Sequence, residues 1–196
     1  LRNGHQSIRQ GDWLREEHRG WELEGKTIGI IGYGNTGKKF AEKLKGFNVT
    51  IIYNDILRGI GDKNATEVSI KTLQEKSDIL SLHIPQNEST NQMINTSFIK
   101  AMKKPFWFLN TARGKAVVTE DLVEGLNSGK ILGAGLDVLE YESASFRSIF
   151  KKANRPIALE RLLSAENVLL SPHVGGWTFE SHRKLAQTIL NKIKIL

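Results

Sequence analysis

Lys26-Thr27-Ile28-Gly29-Ile30-Ile31-Gly32-Tyr33-Gly34-Asn35-Thr36-Gly37 is the stretch on which the reading of this chain turns. Its first six residues are a short apolar run of strand type, and its last six are a G-x-G-x-x-G turn. Lys38 to Lys45 then reads as an amphipathic helix, and Val49-Thr50-Ile51-Ile52-Tyr53 as a second strand that runs into Asp55. A strand, a glycine turn, a helix, a strand and an acid 18 residues past the last glycine together make a dinucleotide-binding unit. Gly32, Gly34 and Gly37 allow a tight turn and a close approach of backbone to pyrophosphate. The helix behind them offers unpaired N–H groups and a partial positive charge. Asp55 is placed to accept hydrogen bonds from a ribose diol. Glycine turns are common in loops and strand-end acids are often merely solvated, so it is the joint order and spacing that carry the inference.

Outward from this unit the alternation continues. Ser69 caps a short helix over Ile70 to Lys76. Asp78 to Ile84 is a strand, and Asn95 or Thr96 opens a helix that runs to Met102. Phe106 to Asn110 is a strand of nearly continuous apolar type, as expected where both sheet faces are covered. Thr119 to Ser128 is a helix with Glu120 and Asp121 in its first turn, where the helix dipole favours acids, and Gly129 stops it. Ile131 to Asp137 and Asn167 to Leu170 are further strands, and Phe179 to Ile195 is a closing helix. Tyr141 to Glu166 is the least regular stretch, with a short helix near Ile157 to Leu163. Leu1 to Gly25 is charged and carries two tryptophans; a short helix is expected over Arg9 to Glu17, with Trp13 and Trp21 as docking side chains. The pattern is α/β, a doubly wound parallel sheet of Rossmann type. Residues 1–25 form a connector, 26–178 the dinucleotide-binding domain and 179–196 a terminal helix. Right-handed crossovers bring the C-terminal strand ends to one edge, where ligands bind. Asp55, His83, Arg113 and Asp137 all fall at or just after such ends.

Composition narrows the function classes. The 196 residues are 39% hydrophobic and 25% charged, enough for one substantial core. There is no run of 18 apolar residues and no N-terminal signal pattern. The sequence has no cysteine, which excludes disulfides, thiolate chemistry and zinc–thiolate sites and fits a cytoplasmic setting. The formal net charge is +7. It can be a basic surface, an attraction for an anionic cofactor and substrate, or a nucleic-acid footprint. The lysines are scattered without interleaved aromatics, so neither nucleic acid nor membrane is expected as a partner.

Three positions are candidates for chemistry: Arg113 in Asn110-Thr111-Ala112-Arg113-Gly114, Glu142 in Asp137-Val138-Leu139-Glu140-Tyr141-Glu142, and His173 in Ser171-Pro172-His173-Val174-Gly175-Gly176. Each follows a predicted strand, and a doubly wound sheet lets all three converge. Residue type alone leaves alternatives open. An arginine after a strand is commonly a surface charge, and Glu142 is not separable from Glu140. His173, between a proline and two glycines, is the stronger candidate. His5, His18 and His182 read as surface residues.

From about Leu14 onward the chain resembles the D-isomer-specific 2-hydroxyacid dehydrogenases, in the motifs GIIGYGNTGKKFAEKLKGFNV, LHIPQNEST, NTARGKAVV, GAGLDVLEYE and SPHVGG and in their order. The resemblance implies NAD as cofactor, no metal, and catalytic roles for Arg113, Glu142 and His173. It places Asp55 on the adenosine ribose, Asp137 on the nicotinamide carboxamide, and Gly32, Gly34, Asn35, Thr36 and Gly37 around the pyrophosphate. His83, Ile84, Pro85, Thr111, Ala112, Gly175 and Gly176 complete the cofactor pocket with Arg113 and His173. A carboxylate at Asp55 repels a 2′-phosphate and so favours NAD over NADP, and Arg58, three residues on, is able to soften that preference. The implied reaction is hydride transfer between nicotinamide and a D-2-hydroxy acid or its 2-oxo acid, with 3-phosphoglycerate, hydroxypyruvate and glyoxylate as substrates and a homodimer as the assembly. In that chemistry an arginine fork binds the substrate carboxylate and polarises its carbonyl. The histidine gives and takes the proton, oriented by a carboxylate on its other ring nitrogen. An alternative from another class is an NAD(H)-sensing module of corepressor type.

The sequence also departs from the family pattern. The segment that supplies most of the family's substrate domain is not in it, so a domain cut from a longer enzyme is expected, poorly active by itself, with exposed apolar surface near Trp13, Trp21 and the last helix. The proline common soon after the catalytic glutamate is absent, and a basic stretch over 143–155 with Phe146, Phe150, Lys151 and Lys152 stands in its place.

Overall fold

Seven strands pair side by side, every pairing parallel, in the order β3-β2-β1-β4-β5-β6-β7. They are β1 (Thr27–Ile31), β2 (Thr50–Asn54), β3 (Thr66–Glu67), β4 (Ile79–Leu82), β5 (Phe106–Asn110), β6 (Ile131–Leu136) and β7 (Val168–Leu170). The helices are α1 (Arg2–Gln10), α2 (Asn35–Lys43), α3 (Ile70–Lys76), α4 (Thr96–Ala101), α5 (Thr119–Asn127), α6 (Ile157–Ser164) and α7 (Phe179–Ile193). This computed structural model describes residues 2–142 and 155–193.

The apolar runs dictate the arrangement. All four residues of β4 are buried, as are four of five in β1, so these strands need cover on both faces. Side chains alternate across the sheet. Ile28 and Ile30 join Tyr33, Ala41, Leu44, Ile51 and Tyr53 in one core cluster. Ile31 belongs to the other, with Leu80, Leu82, Phe106, Phe108 and Leu122. Strand order reverses between β1 and β4, which opens a crevice at the C-terminal edge.

The register makes that edge an aligned row. Ile31 pairs with Asn54 and with Leu82; Leu82 pairs with Asn110, Asn110 with Leu136, and Leu136 with Leu170. Asp55, Gly32, His83, Thr111, Asp137 and Ser171, each the next residue along its chain, therefore stand in file on adjacent strands. Adjacent strands lie about 4.8 Å apart, which fixes the file's spacing.

Several sequence expectations are corrected. The first helix is Arg2–Gln10 and not Arg9 to Glu17; Gly11, with φ of 93°, ends it. The helix after the glycine turn starts at Asn35, inside the motif, because the turn itself supplies its cap, and it gives way to a 3₁₀ segment at Leu44–Phe47. Strand β3 has only two residues and left no periodic signal. The short helix expected within Tyr141 to Glu166 is α6, while 143–154, with the basic stretch, lies outside the described residues. His18 is half-buried and its ring nitrogen meets the Ser7 hydroxyl at 2.9 Å, so it is not simply a surface residue. Trp13 and Trp21 are 82% and 78% exposed, and neither α1 nor α7 has a buried residue among those described.

Candidate active site at the sheet edge

The glycine turn supplies a cradle. Gly32 has φ of 89°, and a Cβ there would overlap the His83 carbonyl, so only glycine lets the chain leave β1 at this point. Gly34 is the N-cap of α2 and has no side chain to cap the helix. A Cβ built on it would meet nothing within 4 Å, and Gly34, Asn35 and Thr36 are all exposed. The start of α2 thus presents its N–H groups and dipole to open space, the setting a phosphate needs. Asp55 turns back toward this cradle. Its Oδ2 accepts the Tyr33 N–H at 2.6 Å and its Oδ1 the Leu57 N–H at 2.9 Å. A carboxylate has further lone pairs, so it can also take a ribose diol. A glycine-walled anion cradle flanked by a fixed, half-exposed acid fits NAD.

On the other side of the crevice stands His83, partly buried beside Phe40, with ring centroids 5.0 Å apart. Its Nε2 meets the Ser81 hydroxyl at 2.9 Å, and its Nδ1 is buried without a partner among the described residues. Burial pushes its pKa down to about 4, so the ring is neutral near pH 7. That fits a wall of the pocket and not a proton donor. Ile84, half-buried, and Pro85, exposed, continue the same wall.

The β5–β7 side carries the three sequence candidates Arg113, Glu142 and His173. Asn110 ends β5 and is 1% exposed. Its side chain accepts the Ala112 N–H and donates to the Arg113 carbonyl, each at 3.0 Å, which fixes the turn from Thr111 to Arg113. Arg113 is exposed, and its Nη1 donates to the Ala112 carbonyl at 2.6 Å. Gly114 is buried, and a Cβ there would overlap the Leu139 carbonyl, so the arginine turn rests directly on the backbone that leads to Glu142.

The structure separates the two acids that sequence left equivalent. Glu140 accepts the Thr119 N–H at 2.9 Å and so holds its loop against the start of α5. Glu142 meets His173 Nδ1 at 3.0 Å. His173 itself has φ of 56°, a left-handed conformation that is strained for a residue with a Cβ. It is held there by its N–H to the Asp137 carbonyl at 2.8 Å.

Asp137, 6% exposed, organises the whole turn. It accepts the Ser171 hydroxyl at 2.6 Å and the N–H groups of Val174 and Gly175 at 2.9 and 2.7 Å. Burial pushes its carboxyl up, but those hydrogen bonds outweigh burial and hold it below its usual value. The family resemblance places Asp137 on the nicotinamide carboxamide, and these bonds also tie it to the His173 loop. Asn110, Glu140 and Ser171 were missed. A buried polar residue closing an apolar strand was the available signal for Asn110; the other two gave none.

The family model described as "D-isomer specific 2-hydroxyacid dehydrogenase, NAD binding domain" matches residues 1–175. The chain is 37% identical over 187 residues to a hydroxypyruvate reductase of Thermotoga maritima, covering 95% of this chain and 58% of that protein. It is 36% identical over 200 residues to a glyoxylate reductase of Pyrococcus furiosus, covering 97% and 56%. The NAD-complexed form of a D-isomer specific 2-hydroxyacid dehydrogenase from Lactobacillus delbrueckii ssp. bulgaricus matches with a TM-score of 0.82 at 31% identity, over 96% of this chain and 58% of that one. The chain thus spans a little more than half the length of the curated relatives it matches. A glycine cradle, an acid at the end of β2 and a paired histidine beyond β7 agree with that match, and the chain belongs to the D-isomer-specific 2-hydroxyacid dehydrogenases, as their NAD-binding domain.

Proposed function

We propose that the protein carrying this chain is an NAD-dependent reductase of short 2-oxo acids, reversible as a D-2-hydroxyacid dehydrogenase. The observation that carries the reading is the 3.0 Å contact of Glu142 with His173 Nδ1, on the same sheet edge as the Arg113 turn. NAD, when bound, supplies or accepts the hydride. The chain's own residues supply the rest. Arg113 binds the substrate carboxylate through its fork and leaves a donor for the adjacent carbonyl. As negative charge grows on the carbonyl oxygen, His173 donates a proton to it from Nε2; in the oxidising direction the neutral ring takes the hydroxyl proton back. Glu142 holds the ring in orientation and stabilises its charged form. In reduction the carbonyl carbon gains the hydride, its oxygen gains the proton, and a 2-hydroxy acid leaves.

Of the substrates that the resemblance implies, the names of the relatives favour hydroxypyruvate and glyoxylate over 3-phosphoglycerate. A homodimer is supported by α1 and α7, which bury none of their described residues and expose large apolar side chains at Ile8, Phe179, Leu185 and Ile189. The cysteine-free sequence supports a cytoplasmic setting. The test is NADH oxidation by the full-length protein against glyoxylate, hydroxypyruvate, pyruvate and phosphohydroxypyruvate. Turnover on glyoxylate or hydroxypyruvate is the expected result. Micromolar NADH binding with no turnover on any of the four would replace the enzyme with the sensor.

A further inference from the structure

The loop after Asp55 contains two opposed devices. Asp55 disfavours a 2′-phosphate by charge. Arg58 is the kind of residue that welcomes one, since an arginine near the ribose acid accommodates the 2′-phosphate in dinucleotide folds. The Leu57 N–H bonded to Asp55 Oδ1 at 2.9 Å folds the chain back on the ribose acid, and Arg58 is the next residue.

Arg58 is engaged elsewhere. Its Nη1 meets Glu67 Oε1 at 3.2 Å. Glu67 stands on β3, in register with Tyr53 of β2, so its place is set by the sheet. Its Oε2 accepts the Gly59 N–H at 3.0 Å and the Tyr53 hydroxyl at 3.1 Å. Tyr53 is fully buried and stacks on Tyr33 of the glycine turn, with centroids 4.0 Å apart. Glu67 thus anchors the loop to the same stack that underlies the cofactor cradle, and one of its oxygens is turned to Arg58. The Gly59 N–H first, and Arg58 after it, hold its carboxyl below the usual value, so it stays charged.

We propose that Glu67 is a specificity-determining residue: its ion pair withholds Arg58 from a 2′-phosphate and thereby sharpens the preference for NADH over NADPH. This rests on the reading of Asp55 as the ribose acid. Arg58 is 71% exposed in the pair and Glu67 27%, and an exposed pair competes only modestly, so a several-fold shift follows and not a reversal.

The experiment compares dissociation constants of NADH and NADPH, read by the fluorescence of the bound nicotinamide, for wild type, Glu67→Gln, and Glu67→Gln with Arg58→Ala. Glutamine keeps an oxygen for the Gly59 N–H and Tyr53 but loses the charge. In Glu67→Gln, NADPH should bind about fivefold more tightly, with NADH within about twofold of wild type. The double variant should return NADPH to its wild-type value. An unchanged NADPH-to-NADH ratio in Glu67→Gln overturns the proposal. So does a gain that persists in the double variant, because the effect would then be repulsion by Glu67 alone. Wild type that binds NADPH as tightly as NADH instead removes Asp55 from its assigned role, and the proposal falls with it.

Discussion

The two halves of the sheet edge are built by different means. The cradle half, β1 through β2, is made by one continuous stretch, and its key bond, the Tyr33 N–H to Asp55, joins residues 22 apart. Its parts are backbone groups and the spaces that glycines leave. The half proposed to be reactive, β5 through β7, is assembled from separate loops, with Glu142 and His173 31 apart and Asp137 and Gly175 38 apart. Its parts are side chains aimed by other side chains: Asn110 for Arg113, Asp137 for His173, Glu140 for the Glu142 loop. Local order fixes the first half. The second depends on long-range bonds that all have to form together. The cradle should therefore tolerate change in the reactive half without losing the dinucleotide, whereas one faulty support in the reactive half disturbs several groups.

The largest break expected between the halves comes from His173→Asn. Asparagine accepts the left-handed backbone that His173 occupies, so the loop is kept while the proposed proton donor is lost. Turnover by the full-length protein should fall roughly 10²- to 10⁴-fold in steady-state assays.

Next is a paired substitution on glycines. In Gly114→Ala the new Cβ overlaps backbone that cannot step aside, and about 2–4 kcal/mol of stability should be lost in urea unfolding. In Gly34→Ala nothing lies within 4 Å, so stability should stay within about 0.5 kcal/mol of wild type while NADH binding weakens. Equal destabilisation by both would erase the distinction between a packed support and an open cradle.

A smaller, graded effect belongs to His83, at the seam between the halves. Its pKa is lowered by burial to about 4 from an ordinary 6.5. The unfolded chain therefore binds the extra proton first as pH falls. Stability is fully present above pH 6.5, declines as pH drops, and the loss is complete below about pH 4, at up to about 3 kcal/mol. The decline between pH 6.5 and 5 precedes that from the lowered carboxylates, Asp78 and Asp137 among them. Urea midpoints across this range should fall for wild type and stay nearly level for His83→Gln.

This contrast also explains what the sequence made legible. Strand, glycine turn and acid follow a fixed local spacing, so Gly32, Gly34, Gly37 and Asp55 stood out at once. The terminal polar residues of the strands were visible as interruptions in apolar runs, and register then placed them in one row. Glu142 was distinguishable from Glu140 only through the family pattern, because each role depends on a partner many residues away, Thr119 for one and His173 for the other. Strand β3 was invisible for a different reason: two residues carry no period.

The central claim is that the cradle holds the dinucleotide independently of the reactive groups. A calorimetric titration of NADH into this chain tests it, with Asp55→Asn and His173→Asn measured beside wild type. The account predicts one site per chain, affinity about tenfold weaker in Asp55→Asn, and affinity within about threefold of wild type in His173→Asn. Full affinity in Asp55→Asn, or loss of binding in His173→Asn, would contradict it.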